Sequence, residues 1–193
     1  MRSGYVDIVR ALLESGAAIN SKDKTGKTAL MSAAYGYGDS RLAVIRLLLT
    51  HGADVNAADS SGRTPLMFVA GFYSSAFEVT KTLIAAGANV NVVDRNGATV
   101  LMLAARGDSD ETLKLILQAG AAINAVDRQG KTALIYSVDG DSQMSFEKVK
   151  LLLSSGADPN IADQQGRTAL TLARSRVGSE SVVALLEGAT RAK

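Results

Sequence analysis

Apolar positions recur along the chain at helical spacing, in short stretches that alternate with polar, glycine-containing segments. In residues 111–118 the apolar positions are Leu113, Ile116 and Leu117. They lie three, four and one residues apart on one side of a helix, which predicts an amphipathic helix. In a shorter stretch, 99–105, Leu101, Ala104 and Ala105 lie at similar spacing, which predicts a first helix with a small-residue face. The pattern predicts a pair of short helices joined by a loop.

A polar turn precedes each helix pair and is written five times. It reads Asp-x-x-Gly-x-Thr-x-Leu, and its copies begin at Asp23, Asp59, Asp94, Asp127 and Asp163. The Asp side chain bonds backbone amides two residues on, the Gly accepts positive φ, and the Thr caps the following helix. The copies begin 33 to 36 residues apart, which is typical of a stacked repeat array. Such an array presents extended surfaces, so we expect function there and no reaction centre.

Each second helix is predicted to end at a glycine in the left-handed conformation. These closing glycines are Gly16, Gly52, Gly87, Gly120 and Gly156, each followed by Ala. A connector with an apolar residue and an Asn comes next. We expect the apolar residue to anchor the connector and the Asn to bond local backbone.

Together these features resemble the ankyrin repeat, which opens D-x-x-G-x-T-P-L-H-x-A-A and ends G-A-x-x-N. The resemblance covers essentially the whole chain and implies an all-α solenoid, in which each repeat is a β-turn finger and two antiparallel helices. It implies about five full repeats and an N-terminal half repeat in one domain, residues 1–193. The divisions are 1–22 for the half repeat, 23–58, 59–93, 94–126 and 127–162 for full repeats, and 163–193 for a C-terminal capping repeat.

Two departures from the family pattern change the picture. The usual His after the Leu is replaced by Met31, Met67, Met102, Ile135 and Thr171, so we expect apolar packing in place of its hydrogen bonds. Three copies, in 23–58, 59–93 and 127–162, carry two or three extra residues between their helices. Insertions at one recurring place map to one face of an array.

The two ends of the chain differ. Residues 4–22 read as the second half of a repeat without its finger or first helix, and exposure of Val6, Val9 and Leu13 there would favour self-association. Residues 181–188 predict a terminal helix, and a capping repeat is expected to have a polar outer face.

Composition narrows the function classes. The net charge is +2, which gives no reason to expect nucleic acid or a membrane as partner. The absence of cysteine excludes disulfides and thiol-ligated metals, and no apolar run reaches the roughly 18 to 20 residues of a membrane span. The resemblance implies a mostly intracellular class, so a cytoplasmic location is expected.

The finger positions that vary between copies are basic. They are Lys24, Lys27, Arg63, Arg95, Arg128, Lys131 and Arg167. In the ankyrin family the finger tips line one edge of the concave face, so these cations predict a ladder that attracts a protein partner with an acidic surface. The alternative is a solvated edge whose cations offset the leading aspartates.

Aromatic residues cluster around the inserted loops. They are Tyr35, Tyr37, Phe72 and Tyr73. Exposed aromatics on loops are frequent interface anchors. The alternative is that these rings fold back over the helix ends and extend the local core.

Catalytic and cofactor chemistry has little support. His51, the only histidine, precedes a closing glycine, where a helix C-terminus explains it. The Gly-Asp-Ser triplets at 38–40, 107–109 and 140–142 are interpreted as helix caps rather than cation sites. We therefore expect no catalytic residue, metal or cofactor. The chain is predicted to be a non-enzymatic protein-binding module; the alternative is a regulatory or spacer segment of a larger multidomain protein.

Overall fold

The computed structural model describes residues 4–36, 38, 40–71, 76–139 and 145–191. Eleven helices lie in these ranges: α1 Gly4–Glu14, α2 Ala29–Tyr35, α3 Arg41–Thr50, α4 Pro65–Ala70, α5 Ala76–Ala85, α6 Val100–Arg106, α7 Asp110–Gln118, α8 Ala133–Asp139, α9 Phe146–Ser154, α10 Ala169–Arg174 and α11 Glu180–Arg191. One antiparallel bridge, Val93 to Thr99, is the only β-pairing within the described ranges.

The helices form two parallel layers. The even-numbered helices α2 to α10 are the first helices of the repeats, and each contacts the next even-numbered helix. The odd-numbered helices α1 to α11 are the second helices and make a second series of contacts in the same way. Each first helix also packs on the second helix that follows it, so the core is a strip between the layers. The predicted all-α solenoid is confirmed.

The residues in place of the family's histidine lie in this strip. Met31, Met67, Met102 and Ile135 are all buried, which confirms that apolar packing occupies these positions. Thr171 differs: it is exposed, and its hydroxyl accepts a hydrogen bond from the Thr168 amide at 2.9 Å. In α10, the first helix of the last repeat, a polar contact therefore takes the place of apolar packing.

The fingers are built as predicted and are joined to one another. In the third finger, Asp94 Oδ1 accepts from the amides of Asn96 and Ala98 at 2.7 and 2.9 Å, and the other four aspartates do the same. Backbone hydrogen bonds link neighbouring fingers: Ser60 N to Thr25 O, Arg95 N to Ser61 O, Arg128 N to Asn96 O and Gln164 N to Gln129 O. The five fingers therefore form one hydrogen-bonded row.

The connector asparagines bond the following repeat, and the expectation of local bonds was wrong. Asn91 Nδ2 donates to the carbonyl of Gly120 at 3.1 Å, and its Oδ1 accepts from the Ala122 amide at 2.8 Å. Asn20, Asn56 and Asn124 make the same two bonds to the repeats after them. Stacking places each asparagine beside the closing glycine of the next repeat. The carbonyl of that glycine has no partner within its own helix, so it accepts the bond from the asparagine.

Helix capping follows the prediction in part. The hydroxyls of Thr99 and Ser109 accept from the third-residue amides of α6 and α7. Ser40 precedes α3 but does not cap it with its side chain, so the prediction is wrong for this serine. Asp39, the other candidate of residues 38–40, lies outside the described residues. Residues 140–142 lie outside the described residues, and Ser145 caps α9 instead.

Three basic side chains lie against the C-terminal ends of first helices. Arg41 donates to the carbonyl of Ala34, Lys148 to Gly107 and Arg176 to Val138. Cations are stabilising there because the helix dipole leaves partial negative charge on the last carbonyls. Lys148 and Arg176 reach the preceding repeat, so they also fasten one repeat to the next.

The first helix in the chain exposes a different face from the one predicted. Val6, Val9 and Leu13 pack against the core, because they face α3. The exposed apolar side chains of α1 are instead Tyr5, Ile8 and Leu12. At the other end, Arg174 pairs with Glu187 at 2.7 Å, across α10 and α11, in keeping with a polar cap.

Candidate partner-binding face

The finger row and the first helices form one continuous face, here called the finger face. The seven predicted cations fall on it in two sets according to their position in the finger. The outer row takes the second position and contains Lys24, Arg95 and Arg128. The inner row takes the fifth position, directly before the capping threonine, and contains Lys27, Arg63, Lys131 and Arg167.

Three of the four inner cations are paired within the chain. Arg63 Nε and Nη2 donate to Asp59 Oδ2 at 3.0 and 2.8 Å, and Arg167 Nε donates to Asp163 Oδ2 at 2.8 Å. Lys131 forms an ion pair with Asp139, the last residue of α8. The alternative of cations that offset the leading aspartates describes Arg63 and Arg167 well.

The aspartates of the two arginine pairs stay ionised near neutral pH. Burial opposes ionisation of Asp59, but the hydrogen bonds from Arg63 and Ser61 outweigh it and hold the pKa of Asp59 below its ordinary value. The same balance, with bonds from Arg167 and Gln165, lowers the pKa of Asp163. In each of these two fingers, the inner arginine is therefore paired with the leading aspartate of the same finger.

Lys27 is placed over aromatic rings. Its Nζ lies 5.8 Å from the centre of the Tyr35 ring and 5.3 Å from that of Phe68, and Arg63 lies 4.7 Å from the same Phe68 ring. The two rings meet edge to face, with centres 6.3 Å apart. Such contacts stabilise a cation by about 0.5–2 kcal/mol. Tyr35 is half exposed, so this cluster presents one ring to solvent.

The outer row is exposed. Lys24, Arg95 and Arg128 form no ion pair with any described residue. Their backbones are nevertheless fixed, because the amides of Arg95 and Arg128 bond the finger before. Uncharged residues, Ser60 and Gln164, take this position in the other two fingers. The accessible positive charge of the fingers therefore comes mainly from three side chains held in one row.

A polar pocket of about 310 Å³ lies beside the fourth finger, next to α8 and the end of α6. It is lined by Arg106, Gln129, Lys131, Tyr136 and Asp139. The Tyr136 hydroxyl donates to Asp127 Oδ2 at 2.8 Å, and burial together with this carboxylate raises the pKa of Tyr136, so its phenol stays protonated. The pocket offers hydrogen-bonding and charged groups to a partner side chain.

Sequence reasoning missed several members of this face. Phe68 and Tyr136 both stand four residues after the threonine that precedes their helix, although Thr64 itself makes no capping bond with its side chain. Arg106 and Asp139 stand seven residues after the corresponding threonine. Three and four residues complete one helical turn, so these positions share a side of the first helix. Reading the same register across the copies would have identified them.

The remaining predicted positions have simpler outcomes. Tyr37, Phe72 and Tyr73 lie outside the described residues. His51 Nδ1 lies 2.8 Å from the carbonyl of Leu47, at the end of α3, which supports its structural interpretation. Among the described residues no three acidic or histidine side chains come together as a metal site, and none of the described helices is long and apolar enough to cross a membrane.

A family model matches most of the chain. The family model described as ankyrin repeats, in three copies, matches residues 1–94 and 67–163. A search of curated proteins returns no significant match.

Proposed function

The chain belongs to the ankyrin-repeat family, and on that premise we propose that it binds an acidic protein surface along its finger face. Ankyrin repeats are generally protein–protein interaction modules and typically non-enzymatic. We take residues 1–193 as a single domain. To the general role of the family we add a specific binding face and the chemistry of the partner. Nucleic acid and membranes are not the proposed partners.

The observation that carries the proposal is the difference between the two rows of cations. The inner cations are neutralised by Asp59, Asp139 and Asp163 or held over rings. The outer cations Lys24, Arg95 and Arg128 remain exposed without an ion pair among described residues. A row of like charges favours an acidic partner and speeds its encounter, more so at low salt.

The backbone hydrogen bonds between neighbouring fingers support tight binding, because they order the outer row before a partner arrives. Each outer amide after the first is bonded to the finger before it, so the row does not have to be ordered when the partner arrives. Ordering a flexible side chain or loop on binding costs affinity, and a preordered surface avoids part of that cost. We assign secondary contact roles to the inner row and to Tyr35, and we retain the loop aromatics Tyr37, Phe72 and Tyr73, which lie outside the described residues, as further candidate contacts.

Charge reversal tests the proposal. Lys24→Glu, Arg95→Glu and Arg128→Glu together should abolish affinity capture of proteins that bind the wild-type chain. The matched control reverses Arg46, Lys81 and Lys114, three exposed cations of second helices, and changes the net charge by the same amount. Proteins retained by the control and lost with the finger variant are the expected partners, and they should have acidic surfaces.

Two outcomes would contradict the proposal. One is that both triple variants lose the same proteins, which would indicate a general charge effect. The other is capture of RNA or DNA by the outer row, measured with labelled oligonucleotides at physiological salt, because specific nucleic acid binding would identify phosphate as the ligand.

A further inference from the structure

Lys131 differs from the two arginines of the inner row in the carboxylate with which it pairs. Each arginine bonds Oδ2 of the aspartate that opens its own finger, four residues earlier. In the fourth finger, Oδ2 of Asp127 already accepts a hydrogen bond from the Tyr136 hydroxyl at 2.8 Å. Lys131 pairs instead with Asp139, whose Oδ2 lies 2.5 Å from Nζ. The ammonium is therefore directed along α8, and both members of the pair line the polar pocket beside the fourth finger.

The tyrosine accounts for this difference. It stands four residues after the threonine that precedes α8, and a phenol at this position is long enough to reach the carboxylate of its own finger. The other copies have no phenol there. Their residues are Ser32, Phe68, Leu103 and Leu172. In the two fingers with arginine pairs, Phe68 and Leu172 carry no hydroxyl that would compete with the arginine.

Of the three inner pairs, the one with Lys131 has the most accessible carboxylate. The side chain of Asp139 is 30% exposed, whereas those of Asp59 and Asp163 are 2% and 0% exposed. Asp139 is also the last residue of α8, where the helix dipole disfavours a negative charge. A second cation is within range, because the bond to Asp163 raises the pKa of Arg167 and the charge of Asp139 adds to this rise. Another carboxylate can therefore replace Asp139 at Lys131.

The pocket has an excess of hydrogen-bond donors. Arg106 and Lys131 bring two positive charges, and Asp139 brings one negative charge. An ammonium has three N–H donors, and the bond to Asp139 uses one of them. The side-chain amide of Gln129 is exposed and has no hydrogen bond to any described residue. Both oxygens of Asp127, by contrast, already accept hydrogen bonds. A ligand that accepts hydrogen bonds and carries one negative charge suits this balance.

We propose that this pocket receives the carboxylate of one glutamate or aspartate side chain of the protein partner, held by Lys131, Arg106 and Gln129. The volume of about 310 Å³ lies at the lower end of the range of about 300–1,000 Å³ that holds small ligands, so there is room for one side chain. A carboxylate matches the single excess positive charge, whereas a phosphate group carries about 1.5 to 2 negative charges. The inference rests on the proposed function: the outer row attracts an acidic surface, and the pocket selects one of its side chains.

A small probe tests the pocket without the partner. The probe is N-acetylglutamate methylamide, whose side-chain carboxylate is its only charge. It is titrated into the isotope-labelled 193-residue chain, and the backbone amides are followed by NMR. The amide signals of Gln129 and Lys131 should shift until they saturate. The neutral glutamine analogue should bind at least about fivefold more weakly, because hydrogen bonds to a charged acceptor are stronger.

Two substitutions should change the dissociation constant of the glutamate probe in opposite directions. Asp139→Asn should lower it about threefold or more, because Lys131 loses its internal counterion. Arg106→Gln should raise it about threefold or more, because one of the two cations is removed. A damaged fold does not produce tighter binding, and the same spectra report the fold of each variant.

Matched controls carry the same changes of charge away from the pocket. They are Glu78→Gln and Arg46→Gln, at exposed positions of second helices. Both should bind the probe within about twofold of wild type, since salt screens distant exposed charges.

Three results would overturn the proposal. One is equal binding of the glutamate probe and its glutamine analogue. Another is tighter binding of inorganic phosphate than of the glutamate probe. The third is an Asp139→Asn variant that binds the probe no more tightly than wild type. Charge reversal of the outer row tests the proposed function in a separate experiment, so the two proposals can fail independently.

Discussion

At the residue scale, the finger glycines do more than permit a turn. Gly97 has φ of 79°, and a Cβ at this position would lie 3.0 Å from the amide nitrogen of Arg128 in the next finger. Gly166, in the last finger, has φ of 73° and nothing within 4 Å of the same added atom. The two sites therefore separate the cost of left-handed backbone from the cost of contact between fingers.

Alanine substitution at these two glycines should give different losses of stability. Gly166→Ala should lower the free energy of unfolding by about 1–2 kcal/mol, the cost of a left-handed conformation. Gly97→Ala should lose about 1–3 kcal/mol more, because the added methyl group pushes against fixed backbone. Urea denaturation measures both. Equal losses would show that the fingers move apart freely.

Asp59 should make the stability depend on pH. Its pKa is lower in the folded chain, so its stabilisation is fully present above the ordinary value and is lost as pH falls through the folded value. Asp59→Asn should be about 1–3 kcal/mol less stable than wild type at pH 7, since the charged bonds from Arg63 are lost. That gap should narrow between about pH 5 and 2.

Urea denaturation at several pH values checks this prediction. The control is Asp108→Asn, which removes a carboxylate that is exposed and has no hydrogen bond among described residues. The control should differ little from wild type at any pH. A gap for Asp59→Asn that stays constant down to pH 2 would refute the electrostatic explanation.

At the scale of elements, the connector asparagines hold neighbouring repeats together. Asn91→Ala should lower the free energy of unfolding by about 1–2 kcal/mol, because it removes two hydrogen bonds and leaves the groups of Gly120 and Ala122 without them. Asn160 occupies the same place in the last connector, and its side chain has no hydrogen bond among described residues. Asn160→Ala should therefore stay within about 0.5 kcal/mol of wild type in the same denaturation measurement. Similar losses at both sites would contradict the role of Asn91 in joining neighbouring repeats.

The sequence predicted elements better than the contacts between them. Local rules placed the fingers, the capping of Thr99 and the left-handed Gly120, which has φ of 84°. The partner of Asn91 lies 29 and 31 residues away, so only the stacked structure reveals it. For α1 the sequence indicated a missing first helix, but which side of the helix is bare depends on where α3 packs.

For the candidate site, too, the sequence predicted the residues better than the contacts between them. All seven finger cations were identified from their positions in the repeat, yet their separation into outer and inner rows depends on long side chains that fold back. Arg63 finds Asp59 four residues earlier, and Lys131 finds Asp139 at the far end of the next helix. The spacing alone does not decide such pairings, because several carboxylates lie within reach of each long side chain.

At the scale of the molecule, the chain is a row of repeats joined by similar contacts, and its two ends differ. Among the described helices, the main contacts lie within a repeat or between neighbouring repeats, so local changes act mainly on the contacts next to them. The finger face runs along this row, so a partner bound there would contact several repeats.

The central claim is that the free outer cations, rather than the paired inner ones, hold the partner. The most direct test compares the dissociation constants of a captured partner for two double variants with equal loss of charge. Arg95→Gln with Arg128→Gln should raise the dissociation constant about tenfold or more, and the effect should shrink at high salt. Arg63→Gln with Arg167→Gln, which removes cations already paired with Asp59 and Asp163, should change it less than about threefold in the folded chain. An inner-row loss equal to or larger than the outer-row loss would contradict the account.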